Sequence, residues 1–195
     1  MIGTSVTQRR EAKVAAIVAT AWDLAHVHGI GGVSLHALAR EVGMRQPSLY
    51  SYFDSKHALY DEMFADGNRK LLLRLEELEL PRDPRAALKT FMRAFVDFAL
   101  EDMARCALLF HRPIPGFTPS AASYAIAEQV LARTVDLLRA AGMANPSDID
   151  CFVAMVGGLI DAQISNDPGG DRWTRHLDRL TDMHLDEVKR RRKQK

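Results

Sequence analysis

Between residues 34 and 59 the chain gathers Ser34, Arg45, Gln46, Ser48, Tyr50, Tyr52 and Lys56. Arginine and glutamine carry paired hydrogen-bonding groups that match the edges of guanine and adenine. Serine and tyrosine hydroxyls reach phosphate oxygens and fix a register without reading sequence. Lys56 sits where a following helix would begin, so its ammonium adds a phosphate contact beside the positive end of that helix dipole. If Leu49 and Phe53, four apart, form an inward face, then Arg45, Ser48 and Tyr52 share the outward one, flanked by Gln46 and Tyr50. The same residues would also suit a plain helical hairpin that shows its polar side to water.

Catalytic arrangements are absent elsewhere. There is no phosphate loop, no glycine fingerprint of a dinucleotide site, no His-Glu-x-x-His pair and no Cys-x-x-Cys. His26 and His28, two apart, point about 200° from each other around a helix and cannot share a metal. Cys106 and Cys151 both lie in apolar helical contexts and read as small reduced core residues of a cytosolic protein. No enzymatic activity, cofactor or metal is expected.

The elements that must hold the polar cluster are helical. Val14, Ile17, Val18, Ala21 and Ala25 recur on one helical face, which stops at the glycines after His28. Ser34 reads as the N-cap of a second helix with Leu35, Leu38, Ala39 and Val42 inward. Ala39 is small where two helices would cross, and Gly43 supplies a turn conformation that a Cβ hinders. Pro47 suits the first position of a third helix. A second short helix held in this way can lie in the roughly 12 Å major groove of DNA.

Asp54 or Ser55 caps a long fourth helix with Leu59, Met63, Leu71, Leu75 and Leu78 inward, and Pro81–Pro84 ends it. A fifth helix turns Leu88, Phe91, Met92, Phe95 and Ala99 inward, and a short sixth ends at His111 before a proline-rich loop. Three further helical stretches are separated by Gly142–Pro146 and Asp167–Gly170. The fold class is therefore all-α, with about nine helices. Three of them form a small head over residues 1–57, and a helical bundle follows over 58–188. The basic segment 189–195 reads as a solvated, disordered tail.

Net charge is only +1 over 195 residues, but it is unevenly placed. Residues 1–57 hold six basic groups against four acidic, the last seven residues hold six basic and none acidic, and the rest is acidic. A mildly basic head on an acidic body fits a polyanionic partner for the head. The longest strongly apolar run, Cys151–Ile160, is half of the ~20 residues a membrane span needs. The basic N-terminus before Val14–Trp22 looks like a secretion signal but lacks a clean apolar core, so a cytoplasmic location is expected.

The run from Leu38 to Leu59, Leu-Ala-Arg-Glu-Val-Gly-Met-Arg-Gln-Pro-Ser-Leu-Tyr-Ser-Tyr-Phe-Asp-Ser-Lys-His-Ala-Leu, resembles the helix-turn-helix motif of the tetracycline-repressor (TetR) family. Leu49, Tyr50, Tyr52, Phe53, Lys56 and Leu59 match that pattern in register. Gln46-Pro47 stands where many members carry a small residue or glycine, and His57 replaces a frequent glutamate, which leaves the operator sequence open. Leu108–Phe117 and Asn166–Trp173 also resemble segments of some bacterial members. The resemblance implies that Ser34, Tyr50, Tyr52 and Lys56 hold the DNA backbone while Arg45, Gln46, Pro47 and Ser48 face the bases. It further implies a homodimeric regulator, a repressor on a double-stranded palindromic operator, released when a small apolar or amphipathic effector enters the body.

Candidates for the effector pocket are Phe95, Met103, Phe110, His111, Tyr124, Phe152 and Met155. Asp148–Ser165 and Asp171–Val188 are the expected dimer helices, with Phe152, Val156, Gly157, Ile160, Trp173, Leu177, Leu180 and His184 at the interface. Gly157-Gly158 inside a helix costs stability and so suggests close helix approach. The competing reading is a helical ligand-binding or protein-interaction module whose head binds no specific DNA.

Overall fold

The computed structural model describes residues 6–194, and among them every regular element is helical. The α-helices are α1 (Val6–His28), α2 (Leu35–Glu41), α3 (Gln46–Leu49), α4 (Lys56–Glu76), α5 (Pro84–Glu101), α6 (Met103–Phe110), α7 (Ala121–Ala140), α8 (Pro146–Asn166) and α9 (Leu177–Lys193). Single 3-10 turns stand at Ile30–Gly32 and Thr174–His176. No described helix is long and apolar enough to cross a membrane.

By packing, the chain divides into two compact units. One holds the chain up to Arg69 together with Asp102–Ile126, and the other holds Lys70–Glu101 together with Ala127 onward. The division falls inside α4, between α5 and α6, and inside α7, and α6 packs against α1 and the turn that follows it. Ile17, Ala21, Val33, Leu38, Leu49, Phe53, Leu59 and Met63 form the core of the first unit. Trp22 closes one side of it and donates its indole N–H to Asp66 of α4 at 2.8 Å.

The second unit has a core of Leu88, Phe91, Leu138, Phe152, Val156, Leu177 and Leu185. A charge ladder laces α5 to α9. Arg85, Lys89 and Arg93 recur every four residues and meet Asp186, Asp182 and Asp178, with Lys89–Asp182 at 2.6 Å and Arg93–Asp178 at 2.8 Å. The hydrogen bond from Arg85 holds the Asp186 carboxyl below its ordinary range. A depressed carboxylate stabilises the fold above its unfolded pKa of about 4, and that contribution is lost as pH falls through the native value. Urea unfolding followed from pH 6 to pH 2.5 should therefore show Asp186→Asn losing less stability on acidification than the wild type. Parallel pH profiles would exclude this role.

Several sequence expectations change here. Leu78 lies beyond the end of α4 at Glu76, and Phe95 is only half-buried, while Val96 and Phe98 are inward. Cys151 is exposed, because it falls off the α8 face that carries Ile149, Phe152 and Val156 inward; Cys106 is buried. The basic end is not a disordered tail as far as it is described. Helix α9 continues to Lys193, held by Arg191 on Asp148 at 2.7 Å and by Arg190 on Glu187 at 2.5 Å. Lys195 lies outside the described residues.

Candidate nucleic-acid interface

The hinge of the head is the turn between α2 and α3. Ser34 caps α2, its hydroxyl accepting the Ala37 N–H at 3.4 Å, and Leu38 and Ala39 turn into the core. At the other end Gly43 takes φ +67°, which L side chains rarely adopt. Its N–H donates to the Arg40 carbonyl at 3.1 Å and the Met44 N–H to the Ala39 carbonyl at 2.8 Å. This is a Schellman cap, and it redirects the chain sharply into α3. Pro47 stands in the first turn of α3, and Leu49 anchors it, 1% exposed.

Helix α3 is shorter than the sequence reading had it. Regular helix ends at Leu49, and Tyr50–Tyr52 continue as turns whose N–H groups reach back to the Ser48 and Leu49 carbonyls. Phe53 is still carried inward. Arg45 is the extended residue that precedes the helix, with no side-chain capping bond. Arg45, Pro47, Ser48 and Tyr50 are exposed together at this helix start, with Gln46 half-exposed beside them.

Two of the expected backbone-holding residues are themselves held from within the head. Tyr52 is half-buried under the Arg10 guanidinium, 5.2 Å from its ring centroid, and Arg10 also donates to the Ser51 carbonyl at 3.1 Å. The Lys56 ammonium donates to the Gly31 carbonyl at 3.1 Å and lies 5.4 Å from the Tyr60 ring. Tyr60, 1% exposed, donates its hydroxyl to the Ile30 carbonyl at 2.9 Å. Lys56 and Tyr60 thus tie the start of α4 to the turn after α1. Sequence reasoning missed Arg10, whose only local signal is its place in the basic pair Arg9-Arg10 on an exposed face of α1.

The effector candidates separate. Phe110, His111 and Tyr124 come together in one cavity of the first unit, about 560 Å³, with Phe64, Leu109 and Phe117, which the sequence reading missed. Phe95, Met103, Phe152 and Met155 do not line it: Met103 points to solvent from the first turn of α6, and the other three belong to the second unit. The dimer candidates separate as well. Phe152, Val156, Ile160 and Leu177 are buried in their own unit. His184 is turned inward, bonded to the Asp148 carbonyl at 3.0 Å and edge-on to Phe152 at 5.7 Å. Gly157 remains outward, and Trp173 and Leu180 are half-exposed. Among the described residues no group of three or more metal-ligating side chains gathers.

Residues 17–63 match the family model of the bacterial regulatory proteins of the tetR family. The chain is similar to the HTH-type transcriptional regulator YobS of Bacillus subtilis, 34% identical over 86 residues, which are 44% of this chain and 45% of that protein. It is also similar to the HTH-type transcriptional regulator Rv1816 of Mycobacterium tuberculosis, 31% identical over 125 residues, 60% of this chain and 52% of that one. The chain thus spans about half the length of the curated relatives it matches. In fold it is similar to BioQ, solved with its double-stranded DNA operator, with a TM-score of 0.62 at 21% identity over 88% of this chain and 96% of that one. Through residues 17–63, the head of this chain is similar to the tetR family of bacterial regulatory proteins.

Proposed function

We propose that the chain is a one-component transcriptional regulator, a homodimeric repressor that binds a palindromic double-stranded operator and is released by a small apolar or amphipathic effector. The observation that carries this reading is the glycine-turned start of α3, where Arg45, Pro47, Ser48 and Tyr50 are exposed together on a rigid support. A helix start of this kind offers side chains to base edges. Gln46 and Ser48 would read bases with Arg45, while Tyr50 and the cap residue Ser34 hold the backbone. Lys56 and Tyr52 would act mainly by fixing the geometry that presents them.

Support for a dimer lies on the outer side of α8 and α9. Val153 is 46% exposed and Met183 57% exposed, and a Cβ at Gly157 or Gly158 would meet nothing within 4 Å. A smooth, partly apolar helix face suits close approach by a second copy, and a two-fold dimer matches a two-fold operator. Work on DNA places the protein in the cytoplasm.

The test is enrichment of random and genomic DNA on the purified full chain at about 0.15 M salt, since affinity depends steeply on salt. The expected product is a palindrome with half-sites about one helical turn apart. Weak, sequence-blind binding would overturn the regulator reading in favour of an interaction module.

A further inference from the structure

The cavity of the first unit has a chemistry more specific than apolar. Its wall is Phe64, Leu109, Phe117 and Tyr124, and its charged or basic lining is His111 and Arg112, with no carboxylate among the lining residues. Arg112 has no hydrogen-bond or ion-pair partner among the described residues, whereas Arg69, Arg74, Arg85, Arg93 and Arg133 each sit on a carboxylate. At about 560 Å³ the space is within the range that holds a small molecule. An aromatic and aliphatic wall with one unpaired guanidinium complements a molecule with an apolar body and a single anionic end.

We propose that this cavity binds an amphiphilic carboxylate, with its acid group on Arg112 and its chain or ring against Phe64, Leu109, Phe117 and Tyr124. The proposal rests on the effector reading above and names the effector's chemical class. The wall is well placed to report occupancy. Phe117 meets Tyr60 edge-on with ring centroids 5.9 Å apart and lies 5.9 Å from the His57 ring. Tyr60 in turn holds the Ile30 carbonyl beside the Lys56–Gly31 tie. A ligand that moves Phe117 therefore acts directly on the side chain that joins α4 to the head. Leu109, another wall residue, packs closely on Gly67 of α4, its methyls 3.1–3.2 Å from where a Cβ on that glycine would stand.

The experiment is calorimetric titration of the full chain with decanoate, decanol and decyltrimethylammonium, with DNA affinity measured in parallel. Decanoate should bind at least about tenfold more tightly than decanol, as a charge-assisted bond implies, and the ammonium should not bind. Arg112→Gln should remove the advantage of decanoate and leave decanol unchanged. Ala121→Trp, at an exposed lining position, should fill the space and abolish binding of both without lowering the melting temperature. Equal affinity for the acid and the alcohol, an Arg112→Gln variant that binds decanoate like the wild type, or decanoate binding that survives Ala121→Trp would each overturn the assignment. So would absence of decanoate binding at millimolar concentration. Arg112-dependent binding that leaves DNA affinity unchanged would instead sink the release mechanism and keep this site. Specific DNA binding with no decanoate binding would do the reverse.

Discussion

Arg45→Glu should abolish sequence-specific DNA binding while leaving the melting temperature within error of the wild type. Arg45 is exposed, makes no capping bond, and has no ion-pair partner among the described residues, so its replacement has little to disturb in the fold. On DNA, losing one bidentate arginine–guanine contact costs about 1–3 kcal/mol at each half-site, and a glutamate adds repulsion from the phosphates. Over two half-sites the loss should reach on the order of a thousandfold. Arg45→Ala should be milder and more informative: weaker binding, with preference relaxed at one base pair per half-site. Tyr50→Phe removes a phosphate-directed hydroxyl and should weaken all sequences about equally. If Arg45→Ala left the entire specificity profile unchanged, the base-facing assignment would be wrong.

Lys56 provides the contrast that makes the Arg45 result interpretable. Its ammonium is already engaged by the Gly31 carbonyl and lies near the Tyr60 ring, so Lys56→Ala should loosen the head as well as remove a cation from it. A charge-matched Lys56→Arg that melts like the wild type but binds DNA poorly would place its effect in the shape of the head. The sequence pattern around Leu49, Tyr50 and Lys56 does not distinguish a side chain that touches DNA from one that braces the residues that do.

That distinction marks how far the sequence could be read. Ser34, Gly43, Leu49 and Phe53 were legible because their signals are local: a cap, a turn that requires φ above zero, and apolar residues four apart. The helix count was legible for the same reason. Arg10 on Ser51 and Tyr52 was not, because 41 residues separate the partners and nothing in either segment names the other. The α5–α9 ladder was not legible either, because its pairs span more than 80 residues. The basic end of α9 read as a loose tail because its partner Asp148 lies 43 residues upstream. An apolar stripe tells which helix face is buried, and not whether the chain itself or a second copy covers it.

Phe152 is where that ambiguity can be resolved by experiment. It is 0% exposed and stacked edge-on with His184, so the second unit covers it without help from another chain. Phe152→Ala should cost about 3–5 kcal/mol, because the cavity cannot collapse fully around a fixed helix pair. For a chain of this size that lowers the melting temperature by on the order of 10 °C. The shift should be the same at low and high protein concentration. Had Phe152 belonged to a dimer interface, its loss would instead appear as a concentration-dependent destabilisation, since association stabilises only the folded form. Gly157→Leu should behave oppositely. Its Cβ would meet nothing within 4 Å in the chain, and leucine is a far better helix former than glycine, so the protomer should be unharmed or slightly more stable. A second copy packed closely on that face would be pushed away, and equilibrium sedimentation should then report monomers together with weaker binding to a two-half-site operator. A Gly157→Leu protein that remains dimeric would move the interface off this face of α8, and a concentration-dependent loss in Phe152→Ala would return Phe152 to it.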